Sequence, residues 1–143
     1  MADFNKVGLL VVRNDSFLVC RKNNYTSKLI MPGGQLEEGE SFEECLNREV
    51  REELGDIALS DVIYIGTYED AAASDDPSVH KTVQIRLYQS NLIGVPVPSS
   101  EIIEILWFDK SFSKNELSSI ILNKILPDIL NRGILNWDES FLH

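Results

Sequence analysis

The sequence predicts an α/β sandwich built around a mixed β-sheet. Segments rich in β-branched and aromatic residues occur on both sides of a capped amphipathic helix, and a second helical pattern lies near the end of the chain. Strands that precede and follow a helix favour a sheet with helices packed on its faces. The chain has 143 residues, of which 43% are hydrophobic, so we expect a single domain over residues 1–143 with a core of its own.

The first predicted elements are two short strands joined by a turn. Residues 6–12 and 17–21 are apolar runs separated by the polar sequence RNDS, a pattern typical of a β-hairpin. A further apolar segment, LIMPGG, ends at Pro32, Gly33 and Gly34, residue types that favour a turn. A polar loop then leads into the first helix.

The first helix is predicted to begin at Phe42. Ser41 and Glu44 have the spacing of a capping box, and Gly55 is a residue type that commonly ends a helix. Between these two signals the apolar side chains recur at helical spacing. They predict a buried face formed by Phe42, Leu46, Val50 and Leu54, with Cys45 beside it.

Three more strands and one more helix are predicted after the first helix. Residues 62–68, 82–92 and 102–108 carry the β-branched and aromatic side chains that suit strands. Residues 115–131 have apolar side chains at helical spacing, with Pro127 expected to kink this helix and Gly133 just beyond its end.

The negative charge of the chain is concentrated in one segment. The formal net charge is −10, and residues 34–56 alone carry nine acidic and two basic side chains. A basic surface for nucleic-acid phosphates is not present, so we expect no stable nucleic-acid binding. A concentrated acidic patch indicates either a cation site or a solvated face.

The expected location is cytoplasmic. No apolar run approaches the length that crosses a bilayer, and the first residues lack a basic segment followed by a long apolar one, so we expect no membrane association. Cys20 and Cys45 fall in a predicted strand and a predicted helix. We expect both to be small buried side chains in a reducing compartment.

Three glutamates of the first helix are placed at a free-energy cost. Glu49, Glu52 and Glu53 lie at positions i, i+3 and i+4, and their patch overlaps the apolar face instead of lying opposite it. Like charges at such positions repel, and more strongly when they are half buried. A hard divalent cation such as Mg²⁺ would offset this repulsion. The alternative is a solvated face paired with Arg48 and Arg51, and spacing alone leaves both open.

The segment 34–56 resembles the Nudix box, the motif G-x5-E-x7-R-E-U-x-E-E-x-G-U in which U is aliphatic. All seven fixed positions are met in register, by Gly34, Glu40, Arg48, Glu49, Glu52, Glu53 and Gly55. The final aliphatic position holds Asp56 instead, with Ile57 following it. The resemblance implies the Nudix α/β/α sandwich with the box as a loop-helix-loop. It also implies hydrolysis of a nucleoside diphosphate linked to another moiety, assisted by Mg²⁺ or Mn²⁺.

The resemblance also implies roles for individual residues. Glu49, Glu52 and Glu53 would bind the metal ion, and Glu49 or Glu52 would act as the base or orient the attacking water. The backbone carbonyl of Gly33 or Gly34 is a further candidate ligand. Family members often carry another glutamate in a later loop, for which the candidates here are Glu101, which we favour, and Glu104. Arg48 would hold the glutamates by charge-assisted pairs, and the supporting positions would be Gly34, Glu40 and Gly55.

The expected substrate is a small nucleotide. Residues that mark some Nudix subfamilies after the box are absent, since Ala72 and Ala73 stand where a proline or tyrosine would be expected. By elimination the chain is most similar to MutT-type enzymes, which convert a nucleoside triphosphate to the monophosphate and pyrophosphate. The alternatives are a nucleotide-sugar or ADP-ribose pyrophosphatase and an inactive ligand sensor. A homodimer is a further expectation. Weaker candidates for substrate contact are Tyr25, Lys28, His80 and the loop 74–77.

Overall fold

The computed structural model describes residues 2–23 and 26–137 of the chain, so the weak candidate Tyr25 lies outside the described residues. The elements, in chain order, are β1 Phe4–Leu10, β2 Val12–Arg13, β3 Ser16–Lys22, β4 Gly33–Gln35, α1 Phe42–Leu54, β5 Ala58–Ala71, β6 Thr82–Ile93, β7 Ile102–Phe108, a 3₁₀ turn Lys114–Glu116, a π-helical turn Ile121–Ile125 and α2 Leu126–Asn131.

The strands form two sheets. One is a mixed four-stranded sheet in the order β4-β1-β6-β5, in which β1 and β6 are parallel and the outer pairs are antiparallel. The other is a small antiparallel sheet in the order β2-β3-β7. The predicted mixed sheet is confirmed, whereas the second sheet was not expected from the sequence.

The predicted hairpin of residues 6–12 and 17–21 is wrong for most of its length. Only Val12 and Arg13 pair with β3, whereas β1 belongs to the other sheet. The reason is the burial of β1, whose last four residues are all inaccessible to solvent. A strand that is apolar on both faces is stable at the centre of a sheet covered on both sides, and not in an isolated hairpin.

The first helix has the predicted bounds. The Ser41 hydroxyl accepts a hydrogen bond from the Glu44 backbone N–H, and the Glu44 carboxylate accepts one from the Ser41 N–H. Gly55 ends the helix with a φ of 88°, a conformation that glycine adopts readily.

One side chain of the predicted apolar face of α1 is placed differently. Leu46, Val50 and Leu54 are completely buried, but Phe42 is 43% exposed. Its ring packs under the guanidinium of Arg86, 4.4 Å from the ring centroid, which is a cation–π contact. In the first turn of α1 this contact replaces burial in the core.

The last helix starts later than predicted and is irregular. Residues 114–116 form the 3₁₀ turn, Leu117 makes an isolated bridge with Leu29, and helical structure begins at Ser119. A π-helical turn stands directly before Pro127, where the sequence predicted a kink, and the Leu126 N–H bonds the carbonyl five residues earlier. Proline cannot donate a backbone hydrogen bond, so a wider turn before it is a common solution.

The core lies on both sides of the four-stranded sheet, which makes the predicted α/β/α sandwich. Helix α1 buries its apolar face with side chains of β1 such as Val7 and Leu9. The last helix packs on the other side, against Leu10 of the same strand and Leu87 of β6. Neighbouring residues of β1 therefore serve different layers, as the pleat of a strand requires.

Both cysteines are buried free thiols, as expected. Burial raises the pKa of Cys45 to about 12, so this thiol is not a reactive thiolate. None of the helices in the described ranges combines the length and the apolar composition needed to cross a membrane.

Loss of the capping box should weaken α1 measurably. We expect Ser41→Ala to lower the free energy of unfolding by about 1 kcal/mol, because the Glu44 N–H loses its acceptor. Urea denaturation measures the change. Asn47→Ala, on the exposed face of the same helix, is the matched control and should leave stability unchanged or slightly raised. Equal losses in both variants would contradict the role of the cap.

Candidate active site

The three helix glutamates and Glu101 line one cavity of about 360 Å³. Gly34 and Gln35 of β4 form one wall, and the remaining lining residues are Lys6, Lys22 and Ser100. Four carboxylates therefore face two ammonium groups in a confined space. We call this space the acidic cavity. It brings together the three helix glutamates that the sequence placed at neighbouring positions.

Glu53 is the buried member of the glutamate set, with 4% of its surface exposed. Its Oε1 accepts a hydrogen bond of 2.7 Å from the Gly33 backbone N–H, and its Oε2 lies 3.0 Å from the ammonium of Lys22. Burial raises the pKa of Glu53, while Lys22 and the Gly33 N–H oppose that shift. The carboxylate thus ties α1 to both β4 and β3.

Glu49 lies between the wall of β4 and the guanidinium of Arg48. Its Oε1 is 2.9 Å from the Arg48 Nη1, and burial raises the pKa of the carboxyl. A side chain at Gly34 would overlap this carboxylate, so glycine there makes room for Glu49. Glu52 is more exposed and lies 3.4 Å from the same Nη1, which places it at the open side of the cavity.

Arg48 and Glu40 form a two-pronged ion pair. The Arg48 Nε and Nη2 donate to the two oxygens of Glu40 at 2.6 and 3.0 Å. The Arg48 hydrogen bonds lower the pKa of Glu40 to about 2. The pair joins the loop before α1 to the helix, which is the supporting geometry that the resemblance implied.

The two glycines before the helix form strand β4 instead of the predicted turn. Gly33 has a φ of 144°, and any side chain on it would overlap the Val7 carbonyl of β1. The Gly34 carbonyl faces the Cys45 thiol, 3.8 Å away. The Gly34 carbonyl therefore has a contact with α1 that the Gly33 carbonyl lacks. Gly34, however, is the residue that lines the acidic cavity.

The end of α1 brings a distant loop to the site. The carbonyls of Glu53 and Leu54 accept hydrogen bonds from the backbone N–H groups of Ser99 and Val97. Carbonyls in the last turn of a helix have no partner within the helix, so the loop satisfies two of them. The same loop continues into Glu101, which explains why that side chain lines the acidic cavity.

The structure distinguishes the two later glutamates. Glu101 lines the acidic cavity, whereas Glu104 pairs with Arg21 at 2.9 Å on the small sheet. The favoured candidate is thus the one that the fold brings to the helix glutamates. Its role as a metal ligand stays a prediction.

The donor set of the cavity has the chemistry of a site for a hard divalent cation. Among the described residues, no group of three acidic, cysteine or histidine side chains has the arrangement of a metal site. Glu49 is paired with Arg48, and Glu53 is paired with Lys22. The carboxylates outnumber the ammonium groups, and burial opposes the charge on Glu49 and Glu53. Oxygen donors carrying excess negative charge fit Mg²⁺ or Mn²⁺, which would compete with Lys22 for Glu53.

A second cavity of about 410 Å³ adjoins the first and was missed by the sequence analysis. Both cavities share Lys6, Lys22 and Gln35 as lining residues. Its walls are mainly apolar and come from β1, β4 and the residues before it, β6, the loop after β5 and the start of the last helix. Examples are Phe4, Met31, Ala72, Val83 and Ile120. No local pattern in the sequence marks these positions, because they are far apart along the chain.

The weaker candidates for substrate contact are separated by the structure. Ser74 lines the apolar cavity, whereas Lys28 donates a hydrogen bond to the Asn115 carbonyl. His80 is exposed and lines neither of the two cavities.

Comparison with known proteins identifies the family. The NUDIX domain model matches residues 4–119, which include both sheets and all of α1. The chain belongs to the NUDIX domain family. The family expected from the Nudix box is therefore confirmed, and the chain is a pyrophosphohydrolase acting on nucleoside diphosphate derivatives.

Solved structures show the same Nudix fold at low sequence identity. A NUDIX hydrolase from Nitrosomonas europaea matches with a TM-score of 0.72 and 19% identity, over 98% of this chain and 95% of that one. A MutT NUDIX hydrolase from Burkholderia pseudomallei gives 0.70 and 21%, over 85% and 97%. A bifunctional NMN adenylyltransferase/ADP ribose pyrophosphatase from Francisella tularensis gives 0.64 and 20%, over 90% and 40%.

The space that Gly34 leaves for Glu49 can be tested by filling it. We expect Gly34→Ala to lower the free energy of unfolding by about 1–3 kcal/mol, because the new methyl group displaces a carboxylate held by Arg48. Urea denaturation measures the effect. Gly66→Ala is the control, since its methyl group would meet only the end of the Tyr68 side chain, at 3.2 Å. A Gly34→Ala protein as stable as this control would contradict the packing of Glu49.

The Glu40–Arg48 pair should make stability depend on acid pH. Because the pKa of Glu40 falls to about 2 in the folded protein, the stabilisation is complete above the unfolded pKa and is lost as the pH falls toward 2. We expect Glu40→Gln to lose less stability than the wild type between about pH 5 and pH 2. Urea midpoints across this range measure it, and Glu38→Gln in the exposed part of the loop is the control. Parallel curves for wild type and Glu40→Gln would refute the assignment.

Proposed function

We propose that this Nudix enzyme hydrolyses nucleoside triphosphates, including oxidised or non-standard ones, to the monophosphate and pyrophosphate. The observation that carries the proposal is the pair of adjoining cavities. The acidic cavity suits a metal ion with its phosphates, and the apolar cavity suits the organic part of a nucleotide. Lys6 and Lys22 line both, at positions where they can face phosphate oxygens.

Mg²⁺, or Mn²⁺, would be held by Glu49, Glu52 and Glu53, with Glu101 and the Gly33 carbonyl as further ligands. When bound, such a cation offsets the charge of the phosphates and lowers the pKa of a bound water. The assignment is supported by the carboxylates of the last turns of α1 and of Glu101, which line one cavity, and by the hydrogen bond that places Gly33 beside Glu53.

The residues of the chain would then position and deprotonate the attacking water. As the water oxygen bonds to the α- or β-phosphorus, the anhydride bond between these two phosphates breaks, the monophosphate and pyrophosphate separate, and Glu49 or Glu52 accepts the water proton. Burial raises the pKa of Glu49, which makes this carboxylate a stronger base than a solvated glutamate. Arg48 keeps Glu49 in place and is itself fixed by Glu40.

A nucleotide sugar or ADP-ribose is the second candidate substrate. It is supported by the similarity of the fold to the bifunctional enzyme from Francisella tularensis, whose name includes ADP ribose pyrophosphatase activity. An apolar cavity of about 410 Å³ next to the acidic one would also accept part of such a substrate. A panel of nucleoside triphosphates, nucleotide sugars and ADP-ribose, assayed with Mg²⁺ and with Mn²⁺, distinguishes the two.

The glutamate assignment predicts the effect of removing single charges. We expect Glu52→Gln and Glu53→Gln to lower kcat by about 100-fold or more, because each loses a charged oxygen needed for metal binding or proton transfer. Phosphate release in an assay coupled to an inorganic pyrophosphatase measures turnover. The rise in Tm on adding Mg²⁺ measures metal binding separately and should shrink in both variants.

Glu104→Gln is the matched control, because Glu104 pairs with Arg21 outside the acidic cavity. We expect it to keep the wild-type rate. If Glu52→Gln and Glu53→Gln hydrolyse nucleoside triphosphates as fast as this control, the assigned site is wrong. Binding of nucleotides without any turnover by the wild type would instead favour the ligand-sensor alternative.

Two further expectations stay predictions. A homodimer is supported by exposed apolar side chains at Ile63 on the edge strand β5 and at Ile93 and Val95 at the end of β6. Light scattering of the purified protein measures the oligomeric state. The cytoplasmic location rests on the sequence alone, and fractionation of the source cells tests it.

A further inference from the structure

The apolar cavity contains one polar atom without a partner. The hydroxyl of Ser118 is buried, with 3% of the residue exposed, and among the described residues it has no hydrogen-bond partner. Ser118 is also one of the residues that line this cavity. A buried hydroxyl without a partner costs free energy, and such a group at a cavity wall indicates that a ligand supplies the partner.

The backbone of Ser118 fixes the position of this hydroxyl. The Ser118 N–H donates to the Leu29 carbonyl at 3.0 Å, and its own carbonyl accepts from the Leu122 N–H at 3.0 Å. The residue is thus held between an extended segment on one side and the start of the last helix on the other. Because the backbone is already held, binding of a ligand restricts only the rotation of the short serine side chain.

The other polar groups around the apolar cavity indicate what the hydroxyl would meet. The described lining includes Lys6, Lys22 and Lys81 but no carboxylate, and its uncharged polar side chains are Gln35, Ser74 and Ser118. Such a lining offers more hydrogen-bond donors than acceptors. It is complementary to a flat group that turns a carbonyl oxygen toward these donors, and less so to one that turns an amino group toward them.

We propose that Ser118 selects the base of the substrate by donating a hydrogen bond to the carbonyl oxygen that guanine carries at C6 and uracil at C4. Adenine and cytosine carry an amino group at these positions, so the enzyme prefers guanine and uracil. This inference rests on the proposed hydrolysis of nucleoside triphosphates. The cavity volume of about 410 Å³ lies within the range of about 300–1,000 Å³ usual for small-molecule sites. The phosphates would extend past Lys6 and Lys22 into the acidic cavity.

A structural role for the same hydroxyl makes a different prediction. A serine directly before a helix often caps it by accepting a hydrogen bond from the backbone one turn on, and Ser118 has this position without forming that bond. If the hydroxyl serves only as a cap, Ser118→Ala lowers the urea midpoint and leaves base preference unchanged. If it serves the ligand, Ser118→Ala keeps or raises the urea midpoint, because a buried unpaired group is removed.

The test compares wild type, Ser118→Ala, Ser118→Thr and Ser119→Ala on GTP, UTP, ATP and CTP with Mg²⁺. We expect the wild type to prefer GTP and UTP. Ser118→Ala should lower kcat/KM for these two by about 5- to 100-fold, because a carbonyl oxygen is left unpaired in the cavity, and change ATP and CTP little. Ser118→Thr keeps a hydroxyl and should retain the preference in part. Ser119→Ala, at an exposed neighbouring position, should match the wild type.

A binding measurement keeps the inference separate from catalysis. GMP and UMP should raise the Tm of the wild type more than AMP and CMP do, and Ser118→Ala should remove this difference. A wild type without base preference in both assays, or a Ser118→Ala protein that retains it, would overturn the role of Ser118. Failure to hydrolyse any triphosphate while the GMP and UMP preference persists would overturn the proposed function and leave the base selection supported.

Discussion

The candidate site depends on the hydrogen bond and the ion pair of the buried Glu53 carboxylate. Its two oxygens are bound by the Gly33 N–H of β4 and by the Lys22 ammonium at the end of β3. The backbone carbonyl of the same residue accepts a hydrogen bond from Ser99, which directs the following loop and Glu101 into the cavity. Glu53 of α1 therefore helps to position strand β4, the Lys22 ammonium and the loop that carries Glu101. Its burial is tolerable only because both oxygens have partners.

The charges around this interaction are graded from one side of the site to the other. Glu52 is exposed at the open side, Glu49 is half-buried beside Arg48, and Glu53 is buried against Lys22. Beyond Lys22 the lining becomes apolar and lacks carboxylates in the described residues. A substrate with several negative charges at one end and a flat, weakly polar group at the other matches this gradient, which is the physical basis of the proposed nucleotide hydrolysis.

Local rules were sufficient for the first helix but not for the strands around it. The capping box of Ser41 and Glu44 and the terminal Gly55 act over a few residues, so the bounds of α1 could be predicted from the sequence. The hairpin prediction failed because β1 pairs with β6, whose sequence lies some eighty residues away. The prediction for Phe42 failed for the same reason, since its ring packs against Arg86 of β6 instead of in the core. Pairing between distant segments has no local signal.

The sequence by itself determined the family, the bounds of α1 and the candidate glutamates, because the seven fixed positions of the Nudix box and the helical spacing are local properties. Only the tertiary structure decided which glutamate is buried, that Lys22 faces it, and that Glu101 rather than Glu104 reaches the cavity. It also created the apolar cavity, where the Ser118 hydroxyl has no hydrogen-bond partner among residues 2–23 and 26–137. Burial and pairing depend on which distant segments pack together, and this is set by the whole core and not by the spacing within any one segment.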